Sequence, residues 1–263
     1  MDVRPGWFVR VVVGAVICFL FAPLVVMAAT SFTTSNSMRL PTDGMSLQWY
    51  RSFFDKPTWV DGMTISFQVA TTVAILATVL GTLLAIGMLT RTGPLWGALS
   101  VSLMSPLIIP SIVVAVALYL LLTRLGLVGT TLGLVIAHTA LAIPYVYLNV
   151  STSLRTFDPN LALAAANLGA NPMQVFARIL LPLIMPGVLA GAVFAFIVSW
   201  DEIVVATFLT STQVQTLPMV MWVEMRTRID PTIAAASTML TLLTVVLLVI
   251  ISLVSRGTRR RSR

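Results

Sequence analysis

The sequence is poor in the groups that soluble chemistry uses. Only 10% of its 263 residues are charged, and it holds one cysteine and one histidine. The single cysteine, Cys18, excludes an intramolecular disulfide and a cysteine metal cluster. Lys56 is the only lysine and follows Phe53-Phe54-Asp55, so no G-x4-G-K-[ST] loop can form around it, and the chain is not an ATPase by that route. No H-E-x-x-H and no Gly-x-Ser-x-Gly occurs, which leaves no catalytic constellation for a hydrolase. The single histidine, His138, lies beside Thr139 in an apolar stretch. It reads as a buried, hydrogen-bonded structural group, with a ligand or proton-relay role as the alternative.

What the sequence has instead is apolar length. Hydrophobic residues make up 58% of the chain, and the mean hydropathy is +0.98. Apolar runs of about 18 residues or more are membrane-span candidates. Six stand out, near 11–30, 64–89, 97–121, 132–152, 184–208 and 234–255. The segments between them are too short for a second folded domain, so the expected architecture is a single all-α integral membrane domain over 1–263 with six transmembrane helices. The first run starts after Arg4 and Arg10 and resembles a signal peptide at Val26-Met27-Ala28, but it exceeds the ~7–15 apolar residues of a signal core. An uncleaved first span is expected.

Charge sets an expected orientation. Six spans put both ends on one side, with Arg4, Arg10, Arg91, Arg155, Arg178 and the arginines of 256–263 against only Asp2 and Asp158. The other side holds Arg39, Arg51, Lys56, Arg124, Arg226 and Arg228, balanced by Asp43, Asp55, Asp61, Asp201, Glu202, Glu224 and Asp230. The positive-inside rule makes the arginine-rich side, both termini included, cytoplasmic. The pI of about 10.7 therefore does not signal nucleic-acid binding. The terminal arginines are placed to hold that end at an anionic lipid leaflet.

Between the fourth and fifth spans lies DPNLALAAANLGANPMQVFARILLPLIMPG, residues 158–187. It reads as two short helices joined by a glycine. Asp158 caps the first, with Pro159 at its first position, and Gly169 ends it. Asn171 caps the second, with Pro172 at its first position, and Pro182 and Pro186 are expected to stop it. Such a unit at the membrane surface suits docking of a soluble partner. Pro23, Pro106, Pro110 and Pro144 fall within spans and are expected to kink them, and Tyr145 and Tyr147 after Pro144 are candidates for an inner lining. Gly187-x3-Gly191 would let another helix approach closely, consistent with packing against a second subunit.

The spacing Ala164-Ala165-x3-Gly169-x9-Ile179-x-Leu181-Pro182 resembles the "EAA" cytoplasmic loop of permease subunits of ABC importers. The resemblance implies a coupling helix within 158–183 that docks in a groove of an ATPase subunit through Ala164, Ala165, Gly169, Ile179, Leu181 and Pro182. Leu163 stands where the motif has its Glu. ATP and magnesium would then be bound by the partner ATPase, and no cofactor is expected in this chain.

A second constellation lies late in the fifth apolar run. Counted from Pro186, Asp201 stands about 22 Å into a core of about 30 Å. Charges there usually face a cavity or a partner. Asp201 and Glu202 read either as a cation site on a transport pathway or as an interfacial polar cluster that ends the span. Neighbours on a helix point about 100° apart, so one of the two would face a pathway. SWDEIVVATFL at 199–209, with TLP at 216–218, IDPTIAA at 229–235 and SPLIIP at 105–110, resembles permeases of the polyamine (spermidine/putrescine) branch. Relatives of that branch handle opines and amino-acid-like solutes. A polyamine suits carboxylates beside an aromatic ring, which Trp200, Asp201 and Glu202 supply. Glu224, with Trp222, lies in the next outer segment and either helps receive solute or belongs to an amphipathic surface helix.

The resemblance implies alternating access driven by a separate ATPase dimer, a related second permease, and an external solute-binding protein. The competing class is a self-sufficient secondary carrier using Asp201, Glu202 and His138, for which inverted repeats would speak. The two halves show no convincing match.

Overall fold

The structure is a computed structural model that describes residues 6–89, 91 and 93–261, with side chains as far as residue 252. Arg4, Asp2 and Arg263, and the side chains of the other terminal arginines, lie outside this description. Among the described residues the elements are helical: α1 (Trp7–Thr30), α2 (Gln48–Asp55), α3 (Pro57–Met88), α4 (Pro94–Ile108), α5 (Ser111–Arg124), α6 (Thr131–Leu154), α7 (Pro159–Asn167), α8 (Pro172–Val175), α9 (Leu181–Trp200), α10 (Val204–Leu209), α11 (Leu217–Thr227) and α12 (Thr232–Arg261). A π-helical turn, Phe176–Leu180, joins α8 to α9.

Among the described residues, five helices are long and apolar enough to cross a membrane: Trp7–Thr30, Pro57–Met88, Thr131–Leu154, Pro172–Trp200 and Thr232–Ser252. The expected third span is different. α4 and α5 reach the required length only together and are bent by 109°. Pro110 is the physical cause. It has no N–H to continue the helix, and it forces Ile109 into extended backbone (φ −75°, ψ 137°). Pro106 and Pro144, by contrast, lie inside continuous helices.

The fifth span also departs from expectation, at both ends. Pro182 and Pro186 do not stop the helix that starts at Pro172, which runs on to Trp200. A proline ring clashes with the carbonyl four residues earlier, and the π turn immediately ahead widens the backbone there; Leu181 N–H bonds to the carbonyl of Phe176. At the far end the helix stops before the acids instead of continuing to 208.

The chain packs as two compact units. The first comprises the residues up to Val60 with Val220–Leu243. α1 exposes its apolar surface along its length. Beyond it, Ser31 and Tyr50 hydroxyls pair at 2.8 Å, and Trp49 Nε1 donates to the Thr33 carbonyl at 2.8 Å. Phe53 and Trp59 are buried against each other, with ring centroids 5.6 Å apart. Lys56 pairs with Asp230 at 3.4 Å, and Asp230 also accepts from Thr232 N–H at 2.8 Å, capping α12.

The second unit comprises Asp61–Met219 with the chain from Thr244 on. Its core is built on α6, where Leu134, Ala137, Ala142, Val146 and Val150 are fully buried. α9 crosses α6 at close range. A Cβ on Gly187 would lie 2.7 Å from the Asn149 carbonyl, and one on Gly191 would lie 3.0 Å from Val146 Cα. The Gly187-x3-Gly191 pattern therefore serves packing inside this chain, not the second-subunit contact expected from it.

Candidate functional site

Two interruptions of the helical chain carry the residues singled out in the sequence. The first is the turn between α7 and α8. Asp158 accepts from Asn160 N–H at 2.9 Å and caps α7. The helix ends where Ala170 N–H bonds back to the Ala165 carbonyl at 3.0 Å and Gly169 N–H to Ala166 at 2.9 Å, the paired bonds of a Schellman end. That end needs a left-handed residue, and Gly169 supplies it at φ +86°. Asn171 and Gln174 then cap α8 reciprocally, each side chain accepting from the other's N–H at 2.9 Å. Both helix ends are thus closed by local bonds, with no hydrogen bond to the core among the described residues.

Its side chains are correspondingly free. Leu161, Leu163, Leu168 and Met173 are exposed, Leu168 to 89%. Ala164 is exposed and Ala165 half-buried. Ile179 and Leu181 are half-buried, Leu181 packing against the core, while Pro182 is exposed. Of the residues expected to couple to a partner, Ala164, Gly169 and Pro182 are therefore exposed and Ala165, Ile179 and Leu181 are half-buried.

The second interruption is at 201–203, between α9 and α10. The backbone leaves the helix at Asp201 (φ −102°, ψ 5°), so the two acids do not lie on one helix as the apolar pattern suggested. Their fates differ. Glu202 accepts from Val205 N–H at 2.7 Å and so caps α10. Asp201 is exposed and, among the described residues, accepts no side-chain hydrogen bond and forms no ion pair. Trp200, expected beside them on a pathway, is instead 1% exposed. Its ring stacks on Phe196 at 5.6 Å and meets Phe67 edge-on at 6.5 Å.

His138 fixes the level of this corner. It is fully buried, and its Nδ1 lies 3.0 Å from Ser199 Oγ at the end of α9. It is buried and hydrogen-bonded as expected, and among the described residues Nε2 has no hydrogen-bond partner. In the sequence Ser199 stands out only as the first residue of the SWDEIVVATFL motif, and its pairing with His138 is not foreseen there.

Tyr147 is not gathered with these groups. It lies on α6 about 13 Å along the axis from His138. There it lines a cavity of about 240 Å3 with Met88, Leu89, Ser151, Leu154 and Arg155. Glu224 is half-buried on α11, in the stretch that belongs to the first unit, where Arg226 stacks over Trp222 at 4.5 Å.

Residues 77–261 match the family described as "Binding-protein-dependent transport system inner membrane component". The chain is 32% identical to "Putrescine transport system permease protein PotI" of Escherichia coli over 84% of this chain and 81% of that one. It is 30% identical to "Spermidine/putrescine transport system permease protein PotC" of Haemophilus influenzae over 92% and 93%. It is also 30% identical to "Molybdenum transport system permease protein ModB" of Mycobacterium bovis over 78% and 83%. Among solved structures, a bacterial alginate ABC transporter in complex with an alginate pentasaccharide-bound periplasmic protein has a chain of the same fold. Its TM-score is 0.69 at 15% identity, covering 97% of this chain and 94% of that one.

Proposed function

The chain belongs to the family of binding-protein-dependent transport system inner membrane components, and we propose that it is a permease subunit of an ATP-driven importer for a small cationic solute, a polyamine such as putrescine or spermidine. In this reading the chain supplies half of a two-sided pathway, and a related permease supplies the other. An ATPase dimer binds ATP and magnesium. A solute-binding protein delivers from outside, and both termini and the 158–187 loop lie in the cytoplasm.

The observation that carries the cationic solute is the division of labour at the second break. Glu202 is occupied by α10, and Asp201 is left as an exposed carboxylate, with no ion pair among the described residues. A charge-assisted bond from an ammonium to such a carboxylate contributes about 1.5–3 kcal/mol. The residues named for the ATPase lie on α7 (Ala164, Ala165), at its end (Gly169), in the π turn (Ile179) and at the start of α9 (Leu181, Pro182). Closing the ATPase dimer would draw that turn toward its counterpart and open the spans outward; hydrolysis would reset them.

The test is reconstitution. The tagged chain is purified with the subunits that accompany it, placed in vesicles with its binding protein, and assayed for ATP hydrolysis and labelled putrescine uptake. ATPase activity raised by a polyamine-loaded binding protein supports the reading. The match to a molybdenum-transport relative favours a second reading, an importer of the same class for a different solute. Stimulation by molybdate or an amino-acid-like solute, with none by polyamines, would establish that one. Uptake without any ATPase would overturn both.

A further inference from the structure

The last two turns of α6 carry a stripe that the transport reading does not use. Tyr147, Ser151 and Arg155 are spaced four residues apart and so lie above one another on one face of the helix. All three line a cavity shared with Ala85 and Met88 of α3 and Leu89 just beyond its end. Among the described residues, the Tyr147 hydroxyl, the Ser151 hydroxyl and the Arg155 guanidinium make no hydrogen bond or ion pair to protein. The remaining wall is apolar, from Ala85, Met88, Leu89 and Leu154.

We propose that this pocket holds the phosphate headgroup of an anionic membrane phospholipid, with Arg155, Ser151 and Tyr147 on the phosphate and the α3 residues against the first acyl carbons. A guanidinium with two hydroxyls is a donor set for a phosphate. The arginine would repel a polyamine, so this cavity is not a station for a cationic solute. A free phosphate would satisfy the donors and leave the apolar wall bare, whereas a lipid satisfies both. The location also fits: the pocket opens at the ends of two apolar helices, on the same end of α6 as the 158–187 loop. That this end meets the cytoplasmic leaflet, where anionic lipid is held by basic groups, rests on the sidedness given under the proposed function. Arg155 stands three residues before Asp158, the cap of α7, so a bound headgroup would anchor the base of the docking turn.

The full assembly, purified in mild detergent, is exchanged into nanodiscs of phosphatidylcholine doped with phosphatidylglycerol, and the lipid retained on re-extraction is measured by native mass spectrometry. Retention of phosphatidylglycerol should exceed that of phosphatidylcholine, and Arg155→Gln should lower the excess about fivefold, the worth of one arginine at an anionic surface. Arg155→Lys should restore part of it, and Arg124→Gln should leave it unchanged. Tyr147→Phe keeps the ring and removes one donor, so it gives a smaller loss even if Arg155→Gln fails to assemble. Equal retention by wild type, Arg155→Gln and Tyr147→Phe would overturn the proposal. Displacement of the lipid by millimolar inorganic phosphate would also overturn it, by assigning the site to a free anion. Retention is read without solute or transport, so a failure of the polyamine reading leaves this result standing, and the reverse holds as well.

Discussion

The two breaks that bound the long helix Pro172–Trp200 are built in opposite ways. At Gly169 the chain satisfies its own backbone and turns its side chains outward; four leucine or methionine side chains there touch little. At Asp201 the chain buries the flanking aromatic ring and leaves a carboxylate exposed, using the neighbouring acid as the cap. A turn that needs nothing from the core is suited to being gripped by another protein, because its shape survives the grip. A break whose one free group is a charge is suited to meeting a small ion.

The difference can be broken most severely at Gly169. Replacing it with valine puts a β-branched residue at φ +86°, a cost of about 1–2 kcal/mol or more confined to the turn. Uptake should fall to background while the amount of chain in the membrane stays near wild type. Asparagine, which tolerates the left-handed region, should retain part of the uptake. Uptake and membrane level measured side by side decide this, and normal uptake by the valine variant would remove the turn from the coupling path.

A smaller effect is expected at the other break. Asp201→Asn should raise the half-saturating concentration for a cationic solute about tenfold, the loss of one charge-assisted bond, with no change in co-purified ATPase. Glu202→Gln should do the reverse. It leaves half-saturation near wild type but weakens the α10 cap by about 1 kcal/mol, read as a Tm lower by about 2–4 °C. If the two variants exchange these phenotypes, the assignment of the free carboxylate is wrong. The smallest effect belongs to Leu163→Glu. Leu163 is 61% exposed on α7, so a carboxylate there can stay in solvent and uptake should remain within about twofold.

Much of this was legible in the sequence. Asp158-Pro159, Gly169 and Asn171-Pro172 each have a local chemistry that fixes a helix end, and the structure places those ends as the residues dictate. The apolar runs likewise announce the long helices, because their length is set by the thickness of the medium and not by neighbours. What failed to read locally was proline. Pro110 breaks its helix, whereas Pro182 and Pro186 do not, since a π turn ahead of Pro182 makes room for the ring. Nothing in the residues around Pro182 announces that turn. Gly187 and Gly191 advertised a close helix approach correctly, but a pattern of small residues cannot say which helix comes close. Trp200 and Glu202 looked like pathway groups because acids are costly in apolar surroundings and an aromatic face beside them suits an organic cation. Their burial and capping roles depend on Phe67, Phe196 and Val205, and the first of these is far away in sequence.

The unbroken run from Pro172 to Trp200 also has a mechanical meaning. At 29 residues it is a beam about 43 Å long, reaching from the outward-turned loop to the residue before Asp201. Gly187 and Gly191 press it onto α6 close to its midpoint, so α6 is its fulcrum. A tilt of about 10° about that point carries the two ends about 7 Å relative to one another, in opposite directions. In the proposed coupling, a pull at the loop would reach the carboxylate through one piece of backbone, with no relay of side chains between them.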